Sequence, residues 1–417
     1  MKRTILVLAL VAAFLGGAAS SSHADTVLTG NTDGGAFFKI VVPTVWNGDL
    51  VIWNHGFSLS PIGPVSDLGP LATPVQLPEG YAVAASSNQQ IGWGLFKTKN
   101  DIQNMVNVFT VNFGTPNQIL VNGASLGGIV TADVVEKANI GNVVGAYQIC
   151  GAVAGSRNWD GAIDLRLTYD AVCANTPAAA IPGGATGLPS PGFPSYPFTQ
   201  TQMALAANAC MGVLTPAAFR TPLQNANLAL FVATTQLPAS FILTDLGFAL
   251  FGYSNLIWDP AKLNGGQGVG NANVNYDNGG FIDTNIQRVS TVPGAVNRVK
   301  KYFTPGGNVG AVKIVSLHTD GDGLVIVENE KEYADVVPAG NLTTAIVDEA
   351  GNTHCGFTPS ETAAGWESLR GWVAGGPQPT AAGIQGLCGF ISGGAPGQCR
   401  IAPAFVIPDM DGRIRPR

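Results

Sequence analysis

Residues 117–139 read NQILVNGASLGGIVTADVVEKAN, and this stretch decides the fold of the chain. It opens with a short apolar run, residues 119–121, which is typical of a buried parallel strand. The turn Gly123-Ala-Ser125-Leu-Gly127 follows, and then apolar residues recur every four positions, as along one side of a helix. A G-x-S-x-G turn between a strand and a helix is typical of a nucleophile elbow, whose strained backbone lifts the serine hydroxyl clear of the sheet. The alternative is a glycine-rich turn in which Ser125 is incidental.

With this elbow the chain resembles the α/β-hydrolase superfamily, and within it the secreted serine hydrolases of the esterase and lipase kind. The resemblance covers about residues 25–155 and 305–375. It implies an α/β fold with a mostly parallel, doubly wound sheet and a large inserted cap. It also implies that the nucleophile, the acid and the base follow one another in this order along the chain. An acid and then a histidine are therefore expected after Ser125.

A serine nucleophile needs a histidine base that is oriented by a carboxylate. Of the four histidines, His354 alone lies in a loop after the last predicted strand, where the family keeps its base. The family's acid commonly follows a strand as Asp-x-x-Val, and Asp322 with Val325 fits this pattern. Asp320 is the alternative acid, and otherwise a turn residue.

Two backbone amides are candidates for an oxyanion hole. A predicted strand ends in Asn54-His55-Gly56-Phe57, which resembles the oxyanion loop of lipases and esterases. By that resemblance the N–H of Phe57 is one donor, and the N–H of Leu126, directly after the nucleophile, is the other. The alternative is a plain turn with a packed histidine.

Aromatic residues in two regions are candidates for substrate contacts. Trp93 and Phe96 lie in a polar and aromatic loop after a buried strand, and Phe248 and Phe251 lie in the long segment between the two hydrolase-like regions. Inserted at this point, the segment resembles the cap that many α/β-hydrolases place over the active site. The alternative for all four is packing between the cap and the core.

The periodicity predicts strands and helices on both sides of the inserted segment. The expected strands are 37–42, 50–53, 81–87, 119–121, 143–150, 312–317 and 343–347, and the expected helices outside the elbow are 101–113, 202–214, 240–253, 330–336 and 360–373. The expected organisation is a signal peptide at 1–24, a hydrolase core at 25–155 and 306–375, a cap at 156–305, and a Gly/Pro-rich tail with few regular patterns at 376–417.

Composition and charge indicate an exported protein without a nucleic-acid partner. Charged residues make up 12% of the 417 residues, and the net charge of −6 leaves no basic surface for nucleic acid. Residues 1–24 have a positive start, a short apolar centre and a small-residue cleavage site, as a secretory signal does. No later apolar stretch is long enough to span a membrane. The expected location is extracellular or periplasmic.

Six cysteines, all after residue 24, predict disulfides rather than a metal site. No C-x-x-C pair exists, so zinc is not expected, and the calcium interpretation of residues 318–329 fails because His318 and Asn329 would take the first and twelfth positions of the loop. Proximity in sequence favours Cys388–Cys399 and Cys173–Cys210, which leaves Cys150–Cys355.

The pair His354-Cys355 also resembles tannases and feruloyl esterases, where the cysteine after the catalytic histidine bridges to one just before the nucleophile. Here Ala124 occupies that position, so that bridge cannot form. The function predicted from the sequence is a cofactor-free serine hydrolase acting on small-molecule or polymeric carboxylic esters. Its rivals are a peptidase or amidase with the same triad, and a non-catalytic secreted binding protein on a hydrolase fold. The oligomeric state is open.

Overall fold

The computed structural model describes residues 25–188, 196–349 and 351–411. The predicted signal peptide, 1–24, lies outside the described residues. Within them one sheet has the strand order β1-β2-β4-β3-β5-β6-β7-β8. β2 runs antiparallel to β1 and β4, and the other neighbours are parallel. The strands are β1 Thr26–Asn31, β2 Phe37–Val42, β3 Leu50–Asn54, β4 Ala82–Ser86, β5 Ile119–Ala124, β6 Val143–Ile149, β7 Lys313–Thr319 and β8 Leu342–Val347.

Helices cover both faces of this sheet and fill the segment between β6 and β7. The α-helices of the described residues are α1 Thr98–Phe113, α2 Leu126–Lys137, α3 Arg157–Cys173, α4 Gln200–Met211, α5 Pro222–Thr235, α6 Ile242–Gly247, α7 Tyr253–Trp258, α8 Phe281–Asn285, α9 Pro293–Phe303, α10 Asn329–Ala334, α11 Pro359–Val373 and α12 Ala381–Ile391. Short 3₁₀ turns lie at Gly94–Phe96, Pro177–Ala179, Gly184–Thr186, Ala217–Phe219 and Ala239–Phe241, and π-helical turns at Ala72–Gln76 and Phe248–Gly252.

The order of the strands is that of the α/β-hydrolase fold, as predicted. β3 and β4 exchange places, β5 lies in the middle, and β5 runs through the G-x-S-x-G turn into α2. The central strands β3, β5 and β6 are almost entirely buried because both of their faces are covered. On one face Ile52 and Val121 pack in the same cluster as α1 and α2, and on the other Val51 and Leu120 pack in the cluster that holds Trp366 of α11.

The inserted segment, residues 156–305, enters after β6 and returns before β7, and the regular elements of its described part are helices joined by loops. Its core is continuous with one face of the sheet, and Cys173–Cys210 joins α3 to α4 with a Cα–Cα distance of 5.5 Å. α3 was not predicted from the sequence. Most of α3 is buried, including Asp164 and Arg166, so the polar residues that normally mark the outer face of a helix do not mark one here.

One helical run contradicts the expectation that no later stretch is long enough to span a membrane. Ala239–Trp258 is 20 residues long and its most apolar 18-residue window has a mean hydropathy of 1.3, but 67% of that window is buried inside the protein. The run packs as a core helix of the inserted segment.

The tail contains one helix that was not predicted from the sequence. Residues Ala381–Ile391 form α12, which Thr380 caps and whose Cys388 is bonded to Cys399. Beyond it Ile401 forms an antiparallel bridge with Val347 at the outer edge of β8. This stretch covers part of a sheet edge, which explains why an apparently irregular sequence is ordered here.

Candidate active site

Ser125 lies at the junction of β5 and α2 in a strained conformation, with φ of 56° and ψ of −123°. Two glycines permit this turn because the backbone passes very close on both sides. A Cβ on Gly127 would lie 1.9 Å from the carbonyl oxygen of Asn54, and one on Gly123 would lie 2.1 Å from the carbonyl oxygen of Gly127. Ser125 therefore lies at the carboxyl edge of the sheet and at the positive end of α2.

Three residues that are distant in sequence form one hydrogen-bonded chain with Ser125 at its end. His354 Nε2 is 2.8 Å from Ser125 Oγ, and His354 Nδ1 is 2.7 Å from Asp322 Oδ2. A carboxylate can only accept, so Nδ1 carries the proton and Nε2 accepts from the serine hydroxyl. Asp322 is fully buried, and its other oxygen, Oδ1, accepts the N–H groups of Leu324 and Val325 at 3.0 Å each.

Asp320, the alternative acid, has a different partner. Its Oδ1 accepts the N–H of Glu349 at 2.8 Å and so joins the loop after β7 to the loop after β8. The contact with His354 comes from Asp322 instead. The geometry thus favours Asp322 for the role of the acid, as the Asp-x-x-Val pattern predicts.

The loop after β3 brings a second backbone amide to the serine. A Cβ on Gly56 would lie 3.8 Å from Ser125 Oγ, and the amides of Phe57 and Leu126 have no acceptor among the described residues. His55 sets the orientation of this loop. Its Nδ1 donates to the carbonyl of Gly56 at 2.7 Å, while its Nε2 accepts from the Asn88 amide at 3.0 Å.

The Gly56 carbonyl and the Phe57 N–H belong to one planar, trans peptide, and therefore point in opposite directions. Because the imidazole of His55 binds the Gly56 carbonyl, the Phe57 N–H points away from that imidazole. Phe57, Leu126 and Ser125 all line one cleft. Two backbone amides without an acceptor among the described residues thus adjoin Ser125 in this cleft.

A disulfide adjoins the histidine. Cys150 and Cys355 have a Cα–Cα distance of 5.4 Å, and both adopt a positive φ, 44° and 58°. Cys150 directly follows β6 and donates its N–H to the carbonyl of Leu317 in β7 at 2.7 Å. The bridge therefore attaches the loop of His354 to the carboxyl end of the sheet. The structure contains the other two expected pairs, Cys173–Cys210 and Cys388–Cys399, as well.

The cleft above Ser125 has a volume of about 920 Å³ and is lined by core loops and by the inserted segment. Its walls are mostly apolar, and apart from His354 they include no ionisable side chain among the described residues. The lining residues from the inserted segment are Asn158, Gln200, Met203, Ala204, Leu243, Thr244, Gly247 and Phe248.

Two of the four predicted aromatic contacts line this cleft. Trp93 and Phe248 do, and both pack on Trp159, with ring centroids 5.1 and 4.6 Å away. Phe96 and Phe251 do not line it. Phe96 packs between Tyr302 and Arg298 and so joins the core to the inserted segment, whereas Phe251 is buried near Tyr196 inside the inserted segment itself.

Sequence reasoning missed the residues of α3 and α4 that shape the cleft. Asn158 and Met203 line it, and the buried Trp159 supports both of its aromatic walls. A signal for α3 was available, since Trp159, Ile163 and Leu167 recur every four residues.

Two groups of side chains in the described part of the chain have the spacing of metal ligands. The first consists of Cys150, Cys355, Asp322 and His354, in which the cysteines are bonded to each other. The second consists of Glu332, Asp409 and Asp411, and Arg157 forms ion pairs with Glu332 and Asp411. Both groups thus have other partners.

No model of a known protein family matches the chain, and no curated protein matches it. Among solved structures it is similar to lipase A of Candida antarctica in its closed state, with 10% identity and a TM-score of 0.42 over 94% of this chain and 84% of that one. It is also similar to an esterase from Rhodococcus sp. ECU1013, with 14% identity and a TM-score of 0.38 over 84% and 98%. A third is the esterase domain of a Rhodothermus marinus protein, with 12% identity and a TM-score of 0.39 over 84% and 97%.

Proposed function

We propose that the protein is a secreted serine hydrolase that cleaves carboxylic esters through an acyl-enzyme. The observation that carries the proposal is the chain from Ser125 Oγ through His354 to the buried Asp322, with contacts of 2.8 and 2.7 Å. Beside it lie two backbone amides that have no acceptor within the described part of the chain. A nucleophile, its base, the group that orients the base and an oxyanion site meet at one point, which is the requirement for acyl transfer.

In the proposed reaction Ser125 Oγ attacks the carbonyl carbon of the ester while His354 Nε2 takes its proton. The negative charge that develops on the carbonyl oxygen is held by the N–H groups of Phe57 and Leu126. His354 then gives its proton to the leaving alcohol, and water, activated by the same histidine, releases the acid. Asp322 remains ionised and stabilises the imidazolium that forms twice in this cycle.

The walls of the cleft support a neutral ester as the substrate. The described lining has no basic side chain, other than His354, that could pair with a carboxylate of the substrate, and no acidic side chain that could pair with an ammonium group. Trp93, Phe248 and Met203 offer apolar surface instead. Transfer of a charged group into such a cleft would cost free energy that no partner offsets. The inserted segment, 156–305, acts as the cap in this proposal.

Export is part of the proposal. The three cysteine pairs have Cα–Cα distances of 5.4 to 5.8 Å, which is compatible with disulfides and with an oxidising compartment. Residues 1–24 would then be a cleaved signal peptide, a prediction of the sequence.

The test is labelling with a fluorophosphonate, followed by kinetics on matched ester and amide substrates. Ser125→Ala should abolish labelling and reduce kcat on the order of 10⁶-fold, because the nucleophile and base act as one unit. The control is Ser58→Ala, since Ser58 also lines the cleft. Labelling that persists in Ser125→Ala would refute the assignment, and faster cleavage of the amide would make the enzyme an amidase.

A further inference from the structure

His318 lies at the carboxyl end of β7 and is completely buried, yet the proposed reaction does not use it. Both of its ring nitrogens face acceptors. Nδ1 is 2.9 Å from Glu330 Oε1, and Nε2 is 2.7 Å from the carbonyl oxygen of Val325. A neutral imidazole has one N–H and can donate to only one of them, so the doubly protonated imidazolium, which donates to both, fits this geometry.

The charge of this imidazolium is balanced inside the protein. Burial opposes the charge, but the hydrogen bond and charge of Glu330, and then the charge of Asp322, outweigh it and raise the pKa of His318 above its ordinary value. Glu330 Oε1 also accepts the hydroxyl of Ser316 at 2.7 Å. Glu330 and Asp322, from α10 and from the loop after β7, are the carboxylates that act on His318, and both are fully buried.

Val325 connects this ion pair to the triad. Its N–H donates to Asp322 Oδ1 at 3.0 Å, and its carbonyl accepts from His318 Nε2. The other oxygen of Asp322 is the one that binds His354 Nδ1. Movement of Val325 would therefore turn the carboxylate that orients the base.

We infer that His318, held by Glu330, is a positioning residue of the proposed hydrolase, because it fixes the Asp322–Val325 loop and through it the orientation of His354. The inference rests on the proposed function. His318 touches neither substrate nor Ser125, so it acts only through Asp322.

The helix that carries Glu330 is itself anchored to the active-site edge. The preceding residue, Asn329, accepts the N–H of Ala154 and the side-chain amide of Asn158 at 2.9 Å each. Asn158 lines the cleft. The first turn of α10 thus joins the segment after β6 to the loop of the triad acid, and Glu330 cannot shift without disturbing both contacts.

A rise in pH should release the loop. The Glu330 carboxylate is a stronger acceptor than the Val325 carbonyl. When the His318 imidazolium loses a proton, it therefore loses the one on Nε2, and the Val325 carbonyl is left without its donor. Because the pKa of His318 is raised on folding, the stability that the pair contributes is complete below the ordinary histidine pKa and is lost as pH rises through the folded value. The decline in kcat should occupy the same range.

The experiment compares two variants with the wild type on one soluble ester. In Glu330→Gln the amide can donate to Nδ1, so His318 becomes neutral, keeps its Nε2–H and still holds Val325. We expect near wild-type kcat at neutral pH and loss of the alkaline decline. The double variant His318→Leu/Glu330→Met removes both charges together, so that no unpaired buried charge remains. We expect an unchanged KM and a fall in kcat of about 10- to 100-fold, as is typical when the partner that orients a functional residue is lost.

Tyr333→Phe is the control, because Tyr333 is buried on the same helix as Glu330 but packs in a hydrophobic cluster with Val312 and Ile314. It should leave kcat unchanged. Wild-type kcat in a folded double variant would overturn the inference and make the pair purely structural. If the double variant does not fold, an alkaline decline in Glu330→Gln that matches the wild type would overturn it. Neither result affects the proposed function, which is tested separately by the labelling and activity of Ser125→Ala and by the comparison of ester with amide substrates.

Discussion

Removal of the bridge Cys150–Cys355 should affect both stability and catalysis, whereas removal of Cys388–Cys399 should affect stability alone. The two double alanine variants lose the same atoms but open loops of very different length. The cysteines are separated by 205 residues in the first case and by 11 in the second. The entropy of loop closure in the unfolded chain then predicts a loss of about 5 kcal/mol for the long loop and about 3 kcal/mol for the short one.

Catalysis should separate the two variants more sharply. Cys355 directly follows His354, and its N–H is 3.4 Å from Asp322 Oδ2, so the bridge fixes the backbone beside the base. Without it the loop can shift, and a displacement of about 1 Å in a reacting group costs about 10²-fold in rate. Cys388 lies within α12 and Cys399 follows it, and, unlike Cys355, neither lines the cleft.

The assay is urea unfolding at 25 °C for the free energies, and kcat on a soluble ester measured without urea, where each variant is folded. Circular dichroism establishes the folded fraction before each rate is taken. We expect kcat to fall about 10²-fold for Cys150→Ala/Cys355→Ala and to remain within about twofold of wild type for the other pair. Equal kcat values for the two folded variants would refute the idea that the bridge positions His354.

Three further predictions use single substitutions. Asp322→Asn should lower kcat on the order of 10⁴-fold through the wrong histidine tautomer, and Asp320→Asn should not; the reverse ranking would exchange their roles. On p-nitrophenyl esters from acetate to decanoate, kcat/KM should rise up to about fourfold per methylene until the cleft is full. Phe248→Ala should move that optimum to longer chains and Phe251→Ala should not. Burial lowers the pKa of Lys262 to about 8, below the ordinary lysine value of 10.5. Between these two pH values the unfolded state binds more protons than the folded state, so the free energy of unfolding rises with pH. Urea titrations should show a smaller rise for Lys262→Met than for the wild type.

Short-range patterns were sufficient for most strands and for the elbow. The strand expected at 37–42 is β2 to the residue, and the run at 119–121 is the start of β5, which continues to Ala124. Such patterns fail where burial removes the contrast between faces. In α3 the buried Asp164 and Arg166 interrupt the apolar spacing, and in α12 small residues and glycines hide a helix.

The sequence contains the local chemistry of this protein: a serine between two glycines, an Asp-x-x-Val turn, a histidine after the last strand and an even number of cysteines. Each of these features can be recognised from the sequence alone. The turn at Ser125, for example, is marked by the glycines two residues before and after it. Distances between remote residues are different in kind. Ser125 and His354 are 229 residues apart in the chain and 2.8 Å apart in space. How whole elements pack decides which aromatic residue faces the cleft and which carboxylate contacts His318. A rotation of one helix would place Phe251 in the cleft instead of Phe248, although the local sequence would be the same.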